Sequence, residues 1–300
     1  MNLNQVKCVL PEQEKKHKWL PPPPLKEGES QNWAEIPPEL TSSILLHLST
    51  IEILKNAQRV CRSWRRVCKD PSMWRKIDMR NNGIFGYDYD RMCRHAVDLS
   101  EGGLVEINMV HFGNDSLYSY IAERSSNLRC LRLAMCYPLT GKGFVSAVMQ
   151  LSFLEELEIS HGYAQLDLKA IGQSCTLLKT FKLNRPSFSR YVKYDDEALA
   201  IAETMPGLRY LELFGNGLTN SGLEAILDNC LHLEHLDLRR CFNIYLVGDL
   251  EKRCSESFRD LRRPEDSTAD SPFDATSVII SEGEDNYFSD DSDLYNPYYD

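Results

Sequence analysis

Patterns typical of several common protein classes are absent from this 300-residue sequence. No apolar run approaches the roughly 18 residues that a membrane-spanning helix needs, so we expect no membrane partner. The N-terminal residues lack the apolar core of a secretory signal, which indicates the cytoplasm and/or nucleus. Because thiols stay reduced there and no C-x-x-C pair occurs, we interpret the ten cysteines as buried thiols. The G-x-S-x-G and H-E-x-x-H motifs are also missing, so nothing indicates a hydrolase.

The formal net charge of −10 is concentrated at the C-terminal end. Residues 265–300 contain eleven Asp and Glu and no Lys or Arg, so the preceding 264 residues sum to about +1. A body this close to neutral disfavours nucleic-acid binding, although residues 55–80 contain nine Lys and Arg. We expect disorder in the proline-rich lead, residues 1–32, and in an acidic tail, residues 255–300.

The stretch from Trp33 to Trp74 predicts three short helices with an apolar seam. Prolines 37 and 38 suit a first helical turn. Ser49-x-x-Glu52 is a capping box that begins a second helix. The third predicted helix has an apolar side with Val60, Cys61 and Trp64. Its other side carries a basic stripe, expected to be solvated or to meet an acidic protein: Arg59, Arg62, Arg66 and Lys69.

A unit of about fifty residues cannot enclose a core for all of these apolar side chains. Surplus apolar surface on a small helical module is usually covered by a partner, although packing on the rest of the chain is an alternative. The order Ile36-Pro37-x-Glu39-Leu40 and the apolar positions after it resemble the F-box, the module that docks on a Skp-type adaptor. The resemblance implies adaptor contacts by Ile36, Pro37, Leu40, Ile44, Leu45, Leu48, Leu54, Val60, Cys61, Trp64 and Trp74.

A six-residue frame, L-x-x-L-x-L with related apolar residues, recurs six times at steps of 24 to 30 residues. Its first residues are Leu104, Leu128, Leu154, Leu178, Leu208 and Leu233. Trp74, Ile77 and Met79 also fit the frame, so the array is expected to begin at the end of the F-box. Helix-like segments lie between the frames. Each unit is therefore predicted to be a short parallel strand plus a helix, stacked with its neighbours into a curved solenoid.

The positions of four cysteines within these units match a known pattern. Cys136 and Cys241 at the ninth place, and Cys175 and Cys230 three residues before a frame, resemble the cysteine-containing leucine-rich repeats that follow F-boxes. Residues 33–254 together resemble the plant F-box/leucine-rich-repeat proteins. The predicted fold class is an α/β solenoid, with an N-terminal three-helix F-box before a curved repeat array and disordered termini. The predicted boundaries are an F-box at 33–80, a partly helical connector at 81–103 and about six repeats at 104–254.

The resemblance implies a substrate-recognition subunit of a Skp–cullin–F-box ubiquitin ligase. Its partners would be a Skp-type adaptor, a cullin reached through that adaptor, and a protein substrate held by the repeats. Such a subunit brings two proteins together, so we expect no catalytic residue and no cofactor. The alternative is a repeat-based interaction scaffold that directs no ubiquitin transfer.

Cys230, His232, His235 and Cys241 are the nearest approach to a metal-ligand cluster in the sequence. Zinc sites of this kind normally show two closely spaced ligand pairs. Both cysteines, however, occupy places where the repeats require a small buried thiol. We therefore expect no metal site.

The strand face turned away from the helices is the expected substrate surface. The fifth places of successive frames form one predicted row that can neutralise itself: Asn108, Arg132, Glu158, Lys182, Glu212 and Asp237. Aromatic and Arg side chains exposed together are typical of binding hot spots. We therefore predict substrate contacts by Tyr210, Phe214, His235 and Arg239. The alternative is that the long loop 185–196 or the tail covers the two aromatic residues.

Overall fold

The computed structural model describes residues 33, 35–80, 88–136, 139–161, 165–185 and 193–271. The lead predicted at residues 1–32 and the tail beyond residue 271 lie outside this described part, as does most of the long loop 185–196. Within the described part, no helix combines the length and apolar character needed to cross a membrane.

Short helices form the N-terminal F-box stretch. They are α1 (Pro38–Leu45), α2 (Thr50–Glu52), a π-helical turn (Ile53–Ala57), α3 (Gln58–Val60) and α4 (Arg62–Val67). The segments from α2 to α3 follow one another without a break and act as one second helix. The capping box that starts it is confirmed, since the Ser49 amide donates to Glu52 Oε2 at 2.9 Å and the Glu52 amide to Ser49 Oγ at 3.3 Å.

The third helix begins later than the sequence predicted, because the chain is extended at Cys61. This residue has φ −158° and ψ 176°, and its Sγ accepts a hydrogen bond from the Trp64 amide at 3.4 Å. A polar atom in this place satisfies a helix-start N–H, as Ser or Asp does at other helix N-caps. Val60 therefore ends the second helix, and the prediction that Val60 and Arg59 belong to the third helix is wrong.

The F-box stretch and the repeats share one continuous apolar core. Trp74, at the end of a 3₁₀ turn (Pro71–Trp74), is 1% exposed, and its Nε1 donates to the Cys68 carbonyl at 2.9 Å. The Asp78 amide, in the strand that follows, donates to Thr50 Oγ1 at 3.0 Å. These contacts fix the orientation of the helices relative to the sheet.

Within the described residues, eight parallel strands form a single sheet in chain order. They are β1 (Lys76–Arg80), β2 (Glu106–Val110), β3 (Cys130–Ala134), β4 (Glu156–Ser160), β5 (Thr180–Asn184), β6 (Tyr210–Glu212), β7 (His235–Asp237) and β8 (Asp260–Arg262). The helices described between them are α5 (Tyr89–Leu99), α6 (Asp115–Arg124), α7 (Gly141–Val148), α8 (Leu168–Ser174), α9 (Asp196–Thr204), α10 (Asn220–Asn229) and α11 (Gly248–Ser257). Every apolar residue of the predicted frames is buried in the common core, which confirms the repeat architecture.

Two further features recur from repeat to repeat. The chain leaves several strands through a left-handed residue, at His111, Met135 and Arg240, although such a residue costs about 1–2 kcal/mol when it is not glycine. The four cysteines at the predicted repeat positions also hydrogen-bond to the preceding repeat. Cys136 Sγ, for example, donates to the Met109 carbonyl at 3.6 Å. Burial raises the pKa of the Cys136 thiol to about 11, so it stays protonated as a donor.

The repeat array extends beyond the predicted boundaries at both ends. Its first strand, β1, contains Ile77 and Met79, which confirms the expectation that the array begins at the end of the F-box. Helix α5 belongs to the first repeat rather than to a connector. Its last helix and strand, α11 and β8, continue past residue 254, so the prediction that disorder begins at residue 255 is wrong. Counted from Trp74, this last strand belongs to an eighth frame, formed by Phe258, Leu261 and Arg263. The sequence pattern did not predict it, because a charged residue occupies its last apolar place.

Candidate protein-interaction sites

An apolar groove of about 700 Å³ lies along one side of α1. Its lining residues are Trp33, Glu35, Ile36, Pro37, Leu40, Ser43, Ile44 and His47. The last four follow helical spacing of three and four residues, which places them on one face. Leu40 is 58% exposed and Ile44 37% exposed, so neither is covered by the described part of the chain. We call this surface the α1 groove.

The wall of the α1 groove is held by two tryptophans. Trp64 is buried below the surface, and its Nε1 donates to the Trp33 carbonyl at 3.2 Å. The two rings meet edge to face, with centroids 6.2 Å apart. Since paired aromatic rings prefer this geometry, the core residue Trp64 positions the exposed ring of Trp33.

The residues predicted to contact an adaptor fall into three groups. Four line the α1 groove: Ile36, Pro37, Leu40 and Ile44. Four others are partly or fully exposed elsewhere on the F-box stretch: Leu48, Leu54, Val60 and Cys61. Three are buried in the chain's own core, so their assignment to an outer contact surface is wrong: Leu45, Trp64 and Trp74. The sequence reasoning missed Ser43 and His47, which helical spacing from Leu40 would have indicated.

The basic stripe is exposed, as expected. Arg59 lies on α3, whereas Arg62 and Arg66 lie on α4 and Lys69 follows it. All four side chains are solvent-exposed. The stripe therefore spans two helices rather than one.

The open face of the sheet shows the predicted row in register. Asn108 pairs with Arg132, Arg132 with Glu158, and Glu158 with Lys182. The row continues through Glu212 and Asp237. The alternation of buried and half-buried residues along these strands puts the row on the side away from the helices.

Most charges on this face are paired, though not always as predicted. Arg132 donates to Glu106 Oε1 at 2.5 Å and to Glu156 Oε1 at 2.6 Å, rather than pairing with Glu158. Lys182 Nζ lies 3.6 Å from carboxylate oxygens of both Glu158 and Glu212. The open face is thus an ion-pair ladder with little uncompensated charge.

Tyr210 and His235 form the aromatic part of the open face. Their rings stack with centroids 5.7 Å apart, on neighbouring strands β6 and β7. Lys182 Nζ lies 5.3 Å from the centre of the Tyr210 ring. Both rings are half-buried, so part of each remains accessible to solvent.

Phe214 and Arg239 do not belong to this exposed patch, and that part of the prediction is wrong. Phe214 is buried, and Arg239 is only 7% exposed. Asp237 holds the Arg239 guanidinium with contacts at 2.7 Å and 3.0 Å. Arg239 also donates to the Ser267 carbonyl at 3.0 Å and pairs with Asp270. The residues after β8 fold over this Arg, which the assumption of a disordered tail could not anticipate.

Cys230 and Cys241 serve the packing of the repeats. Cys230 Sγ donates to the Met205 carbonyl at 3.6 Å and Cys241 Sγ to the Leu213 carbonyl at 2.8 Å. His235 instead stacks on Tyr210. Among the described residues, no group of three or more His, Cys, Asp or Glu is arranged to hold a metal ion.

The helical module with its apolar groove, joined to a solenoid of strand–helix repeats, defines a class of protein-interaction proteins. A family model described as F-box-like matches residues 33–80, and one described as Leucine Rich repeat matches residues 206–227. Neither describes an enzyme family.

Proteins of Arabidopsis thaliana share most of the chain. F-box protein SKIP19 is 56% identical over 280 residues, covering 89% of this chain and 91% of its own. Putative F-box/LRR-repeat protein 21 is 55% identical over 262 residues, covering 82% of this chain and 86% of its own. The chain therefore belongs to the plant F-box/leucine-rich-repeat family.

The described fold also shows a distant similarity to a solved structure. The crystal structure of Rad7 and Elc1 complex in yeast matches with a TM-score of 0.46 at 13% sequence identity. The match covers 76% of this chain and 69% of that chain. This level of similarity is too low to support an inference about partners.

Proposed function

We propose that this protein is a substrate-recognition subunit of a Skp–cullin–F-box ubiquitin ligase. It binds a Skp-type adaptor, and through it a cullin, with the F-box stretch, and it presents a protein substrate on the repeats. Its work takes place in the cytoplasm and/or nucleus. It contributes binding and orientation, and no residue of this chain acts as a catalyst.

The observation that carries this proposal is the α1 groove. A groove of about 700 Å³ with Leu40 and Ile44 exposed in its wall suits an apolar partner surface or helix. Burying one Leu or Ile side chain contributes about 1.5–3 kcal/mol, so these anchors together support a specific complex. Membership of an F-box family supports a Skp-type adaptor as the partner of suitable chemistry.

The rigid joint at Trp74 supports the second half of the proposal. Because the F-box helices and β1 share one core, an adaptor on the α1 groove is held in a fixed position relative to the open face. A receptor that must present a substrate to a distant enzyme requires such fixed geometry. We place the substrate contacts around the Tyr210–His235 stack, where aromatic surface lies beside the ion-pair ladder.

Ubiquitin transfer onto a trapped partner tests the proposal against the scaffold alternative. The unchanged protein and a Leu40→Ala/Ile44→Ala variant are each used to enrich partners from plant cells in which the proteasome is inhibited. We expect both forms to retain the same partners through the repeats, with ubiquitin chains on those partners only for the unchanged protein. No ubiquitination with either form would support the scaffold alternative, and equal ubiquitination with both would show that the α1 groove is not needed for ubiquitin transfer.

The substrate surface is tested by Tyr210→Ala with His235→Ala. Loss of the retained partners with unchanged adaptor binding is the expected result. A matched control, Lys169→Ala, removes a cation from an exposed ion pair with Glu203 away from the open face. Full recovery of the partners by the Tyr210→Ala/His235→Ala variant would move the substrate site elsewhere on the chain.

A further inference from the structure

A second groove, distinct from the α1 groove, lies where the F-box helices meet the first repeat. It has a volume of about 740 Å³. The π-helical turn and α3 form one wall, and α5 forms the other. Its main lining residues are Leu54, Lys55, Arg59, Arg91, Met92 and Arg94. We call it the junction groove.

The junction groove is basic at its walls and apolar between them. Lys55 and Arg59 face it from the F-box side, and Arg91 and Arg94 from α5. Half-buried Leu54 and Met92 supply the apolar surface. His95 and Asp98, also on α5, complete the lining.

Part of this positive charge is not used by the described part of the chain. Arg94 pairs with Asp90 at 2.6 Å, and Asp98 accepts a hydrogen bond from the Tyr120 hydroxyl at 2.6 Å. Arg59 and Arg91, in contrast, are exposed and make no ion pair with any described residue. The groove thus offers two free guanidiniums beside an apolar strip, which suits an acidic peptide with aromatic residues.

The chain itself contains such a peptide. Residues 272–300 have eight Asp and Glu and no Lys or Arg, with Tyr and Phe between the acids in the run NYFSDDSDLY. We propose that this C-terminal segment binds in the junction groove of the same molecule. Its carboxylates pair with Arg59 and Arg91, and its aromatic rings pack on Leu54 and Met92.

The segment is long enough to reach this site. The described chain ends at Ser271, near the last strand, whereas the groove lies beside the first. Parallel neighbours are about 4.8 Å apart, so the sheet is about 34 Å wide from β1 to β8. The remaining 29 residues span up to about 95 Å when extended, which leaves length for a path around the edge of the sheet.

The docked segment would cover Leu54 and lie beside Val60, and both residues belong to the predicted adaptor-binding set. Residues Arg59 and Val60 are adjacent in α3. Docking of residues 272–300 and binding of the adaptor would therefore influence each other. Arg59 is the one member of the basic stripe in the lining of the groove, which does not include Arg62, Arg66 or Lys69.

Zero-length carbodiimide cross-linking of the full chain tests the proposal directly, because it joins a carboxylate to a Lys amine only at contact distance. At about 0.05 M salt we expect amide links between residues 272–300 and Lys55, with far fewer to Lys69 on the α4 side. Raising the salt to about 0.5 M should suppress the Lys55 links, since the screening length falls to a few ångströms.

A pair of matched variants locates the contact. Arg59→Glu with Arg91→Glu reverses two exposed charges in the groove and should reduce the Lys55 links about tenfold. Arg62→Glu with Arg66→Glu reverses two equally exposed charges outside it and should leave those links within about twofold of the unchanged protein. Thermal unfolding of each variant verifies that the fold is intact.

Four results would overturn the proposal. Links to Lys69 as abundant as those to Lys55 would indicate diffuse attraction, and equal loss in both variants would lead to the same conclusion. Links found only between isotope-labelled and unlabelled molecules in a mixture would assign the groove to a second copy. Absence of any link from the segment to Lys55 would leave the groove to an acidic partner protein.

Discussion

The α1 groove and the open face of the sheet are both candidate interaction surfaces, but they differ in chemistry. The α1 groove exposes Leu40 and Ile44 and is lined mainly by apolar side chains. The open face is lined by charges that already pair with one another, as Arg132 does with Glu106 and Glu156. The first surface gains free energy from almost any complementary apolar partner, whereas the second must exchange its internal pairs for external ones.

This difference matches the two tasks that the proposed function would require. An adaptor shared by many receptors needs a surface read by shape and apolar burial. A substrate must be discriminated from other proteins, and an already paired ladder rejects partners that cannot replace its pairs. Amino-acid substitutions can distinguish the two surfaces, beginning with the substitution that should damage both.

Trp74→Ala should have the largest effect, because this residue joins the two regions. A fully buried Trp replaced by Ala typically costs about 3–5 kcal/mol of unfolding free energy, and the hydrogen bond to the Cys68 carbonyl is lost as well. Urea unfolding should show a strongly lowered midpoint. Val60→Ala, on the exposed end of α3, is the control and should change the unfolding free energy by less than about 0.5 kcal/mol. Similar effects for both changes would contradict a shared core.

Arg132→Gln should affect only the open face. The variant leaves Glu106 and Glu156 close together without their common cation, and both are half-buried. We expect a loss of about 1 kcal/mol of stability, which should shrink at high salt. Lys169→Gln removes a cation from the exposed pair with Glu203 and should cost less than about 0.5 kcal/mol. A salt-independent loss would show that packing of the Arg132 stem, and not charge, is responsible.

Glu212→Gln should produce a smaller, pH-dependent effect on the same face. Burial is the main cause that raises the pKa of Glu212, against the attraction of Lys182. A carboxyl with a raised pKa binds its proton more tightly in the folded state. Folding stability therefore falls as pH rises above the ordinary Glu value of about 4.3. Urea midpoints measured across this range should fall less steeply for the variant than for the unchanged protein. A steeper fall in the variant would mean that Lys182 dominates.

The sequence predicted the repeats well and the interaction surfaces less well, for a physical reason. Core positions such as Ile107 and Leu157 are determined by local periodicity, and the register of the open-face row follows from the same frames. Exposure depends on what packs nearby in space. Leu45 and Leu40 have the same chemistry and lie on the same helix, yet one is buried and the other 58% exposed.

The open face illustrates the same limit. Arg239 looked like an exposed anchor because Ser267 and Asp270, which cover it, were assigned to a disordered tail. The eighth frame was not predicted for the same reason. Its last apolar place is occupied by Arg263, which pairs with Glu251. Where a long-range contact replaces a local pattern, periodicity alone does not reveal it.

Binding of a Skp-type adaptor to three forms of the full chain is the most direct test of the account. Leu40→Ala with Ile44→Ala alters the α1 groove, and Leu46→Ala removes a similarly exposed leucine at the end of the same helix but outside the groove. All three forms should unfold at nearly the same urea concentration. We predict that the groove variant loses at least about 3 kcal/mol of binding free energy, more than a hundredfold in affinity, whereas Leu46→Ala binds like the unchanged protein. Undiminished adaptor binding by the groove variant would contradict the proposal that the α1 groove binds the adaptor.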